Sequence, residues 1–425
     1  MASTTAEGSQ STLRELTLRG IIIGGLITLI FTAANVYLGL KVGLTFATSI
    51  PAAVISMAVL RRFAGHNIKE NNIVQTIASA AGTLSAIIFV LPGLVMVGYW
   101  QGFSFIDTAA VCAIGGVLGV MYSIPLRRAL VTGSDLPYPE GVAAAEVLKV
   151  GDSTGEEGEA AHEENTKGLH VILFGGILSA VMALLAAMKA AASEVATYFK
   201  LGPGATTLGS SLSLALVGVG HLVGLAVGIA MLVGVVISYL ILLPILTGGE
   251  GLGDPATLMD TVDSVFSGRI RFIGVGTMAI AAIWTLIKIT GPIAKGMAES
   301  FASSRDRKGG QQVAVEERDI PAPYVIGTIL VLMIPIGLLL WNFVRGTDIH
   351  DHMAVLITVS VLFTLLVGLI IASVCGYMAG LIGASNSPIS SIGIIAVIAA
   401  ALIIAAVTRG TDAEPLSLVA YTLFT

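Results

Sequence analysis

Apolar runs separated by short polar connections recur along most of this 425-residue chain. A helix rises about 1.5 Å per residue, so roughly twenty apolar residues cross a hydrocarbon core of about 30 Å. Segments of that kind fall at Ile21–Leu40, Gly43–Leu60, Ile73–Val97, Phe105–Ile124, Leu169–Ala192, Ile270–Ile289, Tyr324–Phe343, Met353–Val374 and Ile392–Val407. Leu208–Leu246 is longer. As one helix it would reach about 60 Å, so it is expected to break and cross twice. The break is placed at VGVGHLVG, where Gly218, Gly220 and Gly224 surround His221 and lower helix propensity. The pattern predicts an all-α, polytopic transmembrane helix bundle of about ten or eleven membrane segments, some interrupted or re-entrant.

Composition agrees with a chain whose solvent is lipid: 55% hydrophobic residues and 12% charged residues, with a mean hydropathy of +0.92. A soluble domain carries about 25% charge. Fifty glycines predict helices that approach closely through small residues. The net charge of −5 argues for no nucleic-acid partner. Cys112 and Cys375 lie far apart in apolar segments and read as small packing residues, not a disulfide or metal site. The polar N-terminus leads straight into a full-length apolar run and is expected to be retained, not cleaved as a signal.

Basic residues orient the bundle, because Lys and Arg in short loops mark the cytoplasmic side. Arg14, Arg19, Arg61, Arg62, Lys69, Arg127, Arg128 and Lys149 share one side if the first four segments each cross once. The N-terminus is therefore expected in the cytoplasm, with the acidic loop of Asp254, Asp260 and Asp263 outside. Two polar connections, 151–167 and 303–321, have too little hydrophobic content to fold alone and read as surface loops of one transmembrane domain spanning 1–425.

Irregular backbone within the membrane is tolerated only where it is buried in protein or lines a cavity, so interruptions of apolar runs point to sites. Three occur: Asn35–Gly43, Ser134–Gly151 and Cys375–Ser391. The first holds Lys41, the sole charge between Arg19 and Arg61. Lys41 is either a snorkelling helix end or a cation that attracts an anionic substrate. Tyr37–Gly43 and Tyr377–Gly383 have equal spacing, and each precedes a proline, Pro51 or Pro388, as a pair of repeated broken helices would.

Asn35 and Asn386 place amides in apolar surroundings, where they serve the donors and acceptors of a peptide bond or bridge helices. Tyr37, Tyr138 and Tyr377 are candidates for substrate hydrogen bonds, with interfacial anchoring as the plainer reading. Glu140 follows Pro139 at the start of a helical run; it is either a helix-start carboxylate favoured by free amides or a proton-coupling group. Asp135 reads as a turn residue, and His221 falls at the expected break. His350-Asp351-His352 lacks further ligands at metal spacing. No GxxxxGK[ST] or HExxH sequence appears, which removes the usual warrants for an ATP-driven pump or a zinc hydrolase; no catalytic pair or cofactor is expected.

ANVYLGLKVGLTFATSIPAAVISM, SDLPYPEGVAAAEVLKVG and GLIGASNSPISSIG occur in that order, and together they resemble the oligopeptide transporter family. They resemble especially its prokaryotic members, which are related to the yellow stripe-like metal-chelate transporters. The resemblance implies a secondary, typically proton-coupled importer in the plasma (inner) membrane. Its partners would be protons, membrane lipid and a small-molecule substrate, a short peptide or a metal–chelator complex. Members are generally longer, so the C-terminal third of the family fold is expected to be missing here. A non-transporting scaffold, or a membrane-embedded enzyme, is the rival from another class.

Overall fold

In a computed structural model of the protein, residues 15–42, 48–132, 134–151, 194–212, 225–248, 255–278, 319–383, 389–409 and 413–425 are described, with scattered positions between them. The elements are α1 (Leu18–Val42), α2 (Ser49–Leu60), α3 (Ile68–Leu84), α4 (Pro92–Met96), α5 (Phe105–Arg127) and α6 (Pro139–Gly151). Then come β1 (Glu194–Leu201), β2 (Gly204–Ser211), α7 (Leu225–Val235), α8 (Leu243–Thr247), α9 (Pro255–Val265), α10 (Ala322–Arg345), α11 (Met353–Ile382), α12 (Ile389–Val407) and α13 (Pro415–Phe424). Wider π-helical turns occur at Arg128–Thr132, Val236–Leu242 and Phe266–Ile270. Among the described residues six helical stretches are long and apolar enough to cross a membrane: Leu18–Leu40, Ile68–Met96, Phe105–Arg127, Gly228–Thr247, Ala322–Arg345 and Met353–Leu381. The chain is a multi-pass, predominantly helical membrane protein.

Several boundaries depart from the hydropathy reading. Gly43–Leu60 was expected to cross, yet α2 has 12 residues and reaches only about 18 Å. Leu208 lies in a strand, so Leu208–Leu246 is not one helix; the expected break at Val217–Gly224, with His221, lies outside the described residues apart from Val217. Asp260 and Asp263 are not in a loop but in α9, which begins 15 residues before the expected start at Ile270. The stretch Cys375–Ser391 is helical as far as Ile382, so its interruption begins only at Gly383. The connections 152–166 and 303–318 lie outside the described residues.

Of the two equally spaced stretches, Tyr37 and Tyr377 are both helical, and α11 ends at Ile382, one residue before Gly383.

The chain divides into two compact units, the first comprising Met1–Tyr37, Leu44–Thr83 and Glu140–Gly274, the second Leu38–Gly43, Leu84–Pro139 and Val275–Thr425. In the first unit α1 and α3 meet where a Cβ on Gly24 would lie 2.9 Å from Ile77 Cβ, the close approach that small residues permit in lipid. Thr28 Oγ1 donates to Ile77 O at 3.0 Å across the same contact. α2 closes on both through the apolar cluster Ile27, Ala52, Leu60, Val74 and Ala78, and Thr48 Oγ1 donates to Ala78 O at 2.9 Å.

The same unit carries an antiparallel hairpin, β1 with β2, in register Glu194↔Ser211 through Leu201↔Gly204. Gly202 has φ +61° at the first central position of its two-residue turn, the position where a type II′ turn selects glycine. The sequence ATYFKLGPGATTL carries the strand signal, β-branched and aromatic residues flanking Gly-Pro-Gly, which segment hydropathy passes over. β2 packs on α8 so closely that a Cβ on Gly204 would fall 1.8 Å from Pro244 O. Thr247 Oγ1 completes the joint by accepting from Ala205 N at 2.8 Å.

In the second unit α5 and α11 pack through Tyr122, whose hydroxyl donates to Leu365 O at 2.8 Å and whose ring lies 3.1 Å from where a Cβ on Gly368 would be. Arg127 Nη1 pairs with Asp319 Oδ1 at 2.9 Å. α13 anchors another core of Leu340, Val344, Ile349, Leu356, Ala400, Ile404 and Tyr421, with Phe343 and Phe424 stacked at 4.5 Å. Buried Tyr421 donates to Ser360 Oγ at 2.9 Å.

Candidate functional site

α3 presents two unlike faces. Glu70, Asn71, Val74, Ala78 and Ala81 are buried. On the other side Lys69, Asn72, Thr76 and Thr83 are exposed and Gln75 and Ser79 are half-buried. At about 100° per residue these six fall within roughly 60° of Asn72, so they form one polar stripe along a helix of membrane-crossing length. The hydroxyls return to their own helix: Thr76 to Asn72 O at 2.7 Å and Ser79 to Thr76 O at 2.7 Å. The Asn72 and Gln75 side-chain amides have no hydrogen bond among the described residues. Polar groups facing hydrocarbon are costly, and such faces normally line water-filled cavities or are covered by protein.

The basic end of this stripe opens into a cavity of about 450 Å³ between α3 and α6, lined by Lys69, Asn72 and Gln75 on one side and by Gly141, Leu148 and Lys149 on the other. Its walls are positioned by the buried cluster of Ala53, Met57 and Leu148, which sets α6 on α2. Behind the wall, α3 is locked to α1. Arg19 donates from Nε to Glu70 Oε1 and from Nη2 to Glu70 Oε2, both at 2.7 Å, and Thr17 also donates to Glu70. Asn67 Oδ1 accepts from Glu70 N at 3.0 Å and starts the helix. Glu70 is completely buried, and its two-pronged arginine partner supplies the charge and donors that such a carboxylate needs.

A second built feature lies in the other unit, at the turn before α6. Tyr138, between Pro137 and Pro139, has φ 42°, the one non-glycine residue with positive φ among those described. Its N–H donates to Gly380 O at 2.8 Å, satisfying a carbonyl in the last turn of α11 that has no partner within its own helix. Its hydroxyl donates to Leu130 O at 2.8 Å, inside the π-helical turn. Burial pushes this phenol above its ordinary range.

The residues singled out by sequence are distributed as follows. Asn35 is fully buried in α1, whereas Tyr37, two positions on, is 57% exposed. Lys41 falls in the last turn of α1, its side chain outside the described set. Tyr377 packs with the cluster of Leu126, Leu130, Val374 and Ile392, which also takes in Leu136. Tyr138 and Tyr377 are thus gathered at the C-terminal end of α11. Glu140 is half-buried in the first turn of α6. Asn386 lies outside the described residues. Asp135 is exposed and non-helical. Cys112 and Cys375 are not joined in a disulfide and are half-buried, and among the described residues no group of three His, Cys, Asp or Glu could hold a metal ion.

The stripe on α3 escaped the hydropathy reading because its apolar neighbours raise the average over any long window. The spacing 69, 72, 75/76, 79, 83 is its readable signal. Gly151-Asp152-Ser153-Thr154-Gly155 fits the GxSxG spacing of serine hydrolases. The nucleophile elbow requires a strand before the turn, and here the preceding element is helix α6.

Residues 15–425 match the family described as OPT oligopeptide transporter protein. The chain is 45% identical over 375 residues to a protein of Haemophilus influenzae named "Putative oligopeptide transporter", covering 87% of this chain and 57% of the relative. It is 27% identical over 338 residues to an iron-phytosiderophore transporter of Oryza sativa subsp. japonica, covering 72% of this chain and 49% of the relative. The chain thus spans about half the length of these curated relatives. No solved structure matches. A whole-length family match and the 45% relative lead to one conclusion: the chain belongs to the oligopeptide transporter family.

Proposed function

We propose that this chain carries part of a secondary active, proton-coupled importer of oligopeptides across the plasma (inner) membrane, oriented with its N-terminus in the cytoplasm. The observation that carries the reading is the polar face of α3, Lys69 to Thr83, on a helix long and apolar enough to cross a membrane in a chain of this family. Such a face gives a peptide's amides and termini hydrogen-bonding surroundings where lipid gives none. The name of the Haemophilus influenzae relative supports the substrate class. In this reading Asn35, Tyr37, Lys41, Tyr138, Tyr377 and Asn386 contribute to substrate binding and Glu140 takes and releases the coupled proton. Neither an enzymatic step nor a resident cofactor enters this reading.

The name of the rice relative favours a second substrate, a metal–chelator complex. A chelate brings its own metal ligands and presents carboxylates and amides, so the same residue types serve it.

The test is uptake into proteoliposomes under an imposed pH gradient, with labelled di- to hexapeptides in one arm and ferric or nickel chelates in the other. Gradient-dependent peptide uptake that loses its pH dependence in Glu140→Gln supports the reading. Chelate uptake alone replaces the substrate, and gradient-independent behaviour in both arms leaves a scaffold.

A further inference from the structure

The cavity between α3 and α6 has a chemistry narrower than "polar". Lys69 lines it from α3 and Lys149 from α6, the amides of Asn72 and Gln75 stand on the α3 side with Lys69, and the remaining lining is apolar. A volume of about 450 Å³ falls in the range of small-molecule sites, roughly 300–1,000 Å³. Among the described residues no carboxylate lines it. Among the described residues each lysine has an acidic partner that is not part of the cavity lining: Glu15 pairs with Lys69 at 3.0 Å and Glu146 with Lys149 at 2.7 Å. All four of these side chains are about half exposed or more. Exposed pairs of this kind are worth little, so an anion entering the cavity displaces them at small cost.

We propose that this cavity binds the C-terminal carboxylate of a short peptide at the mouth of the α3 polar stripe, with Lys69 and Lys149 as its cationic partners and Asn72 and Gln75 as hydrogen-bonding partners for the adjoining peptide bond. The proposal rests on the transporter reading and adds to it a recognition point distinct from Lys41. A lipid phosphate would also suit two lysines. The stripe decides for the peptide, because Asn72, Gln75, Thr76, Ser79 and Thr83 continue the polar surface from the cavity along α3. Acyl chains would need an apolar groove there.

The experiment is equilibrium binding of trialanine and of trialanine amide, which lacks the carboxylate, to the full 425-residue chain in phosphatidylcholine nanodiscs, repeated with phosphatidylglycerol added. Charge-assisted hydrogen bonds exceed neutral ones by enough that trialanine is expected to bind roughly tenfold tighter than its amide. The double variant Lys69→Gln/Lys149→Gln is expected to lose that preference and keep its affinity for the amide, and Lys69→Arg/Lys149→Arg to restore it. Equal binding of the two peptides by the unaltered chain, or a preference that survives the double glutamine variant, overturns the proposal. So does competition by phosphatidylglycerol that the double variant abolishes, which would make the cavity a lipid site. Binding is read without a gradient, so a chain that binds with this preference yet fails to transport removes the importer reading and leaves the site. Uptake that ignores the carboxylate does the reverse.

Discussion

The backbone N–H of Tyr138 donates to the carbonyl of Gly380 at 2.8 Å, with the Tyr138 ring lying over the same glycine. A turn forced into a left-handed conformation between two prolines thereby caps the last turn of α11.

Gly380 has no room for a side chain. A Cβ there would stand 2.8 Å from both Leu136 Cδ1 and Tyr138 Cζ. Gly380→Ala is expected to cost about 1–3 kcal/mol through overpacking, and Tyr138→Phe about 0.5–1.5 kcal/mol for the bond to Leu130 O. Thermal unfolding in detergent measures both. A neutral Gly380→Ala would show that the turn does not press on α11.

Glu70 and Arg19 form a unit whose halves are not equivalent. Removing Arg19 alone leaves a buried carboxylate without its cation, whereas removing both leaves none. The double variant Arg19→Ala/Glu70→Ala is therefore expected to melt higher than Arg19→Ala alone. A double-mutant cycle in thermal unfolding reads the coupling; strict additivity would dissolve the pair as an energetic unit.

The hairpin stands or falls with its joint to α8. Gly204→Ala would drive a Cβ to 1.8 Å from Pro244 O, and Thr247→Val would strip the acceptor from the buried amide of Ala205. Both are expected to release the hairpin, read as faster proteolysis between Glu194 and Ser211. Cleavage as slow as in the unaltered chain would mean the strands are held elsewhere.

Tyr198 donates toward Asp263 Oδ1 at 3.2 Å. Burial first, and the Asp263 charge second, raise its phenol above the ordinary value of 10.0. A phenol whose folded value is raised holds its proton longer in the native chain, so its stabilising contribution is complete below the unfolded value near 10 and is lost as pH rises through the folded one. Asp263→Asn is expected to shift the phenolate absorbance transition to lower pH. A transition that stays in place would assign the shift to burial alone.

Hydropathy located α1, α5, α10, α11 and α12 to within a few residues at most ends, because burial in lipid demands long unbroken apolar runs and the sequence records that directly. It overextended α2, which runs Ser49–Leu60, since hydropathy does not distinguish a crossing from a shorter packed helix. The hairpin was written in β-branched and aromatic residues around Gly-Pro-Gly, a signal that segment averaging erases. Of the candidate site, Lys69, Asn72 and Gln75 were legible only as spacing. That Lys149, eighty residues later, faces the same cavity had no sequence signature at all.

The sequence by itself determined the solvent, the family and the order of the helices, because those depend on composition and on motifs read along one dimension. The tertiary structure alone decided that α6 lies against α3 and that the two helices line one open cavity with Lys69 and Lys149. It also decided that Glu70 is buried beneath Arg19 and that Tyr138 caps α11. Those are pairings between distant segments, fixed by close packing at small residues and by the need to satisfy each buried polar group.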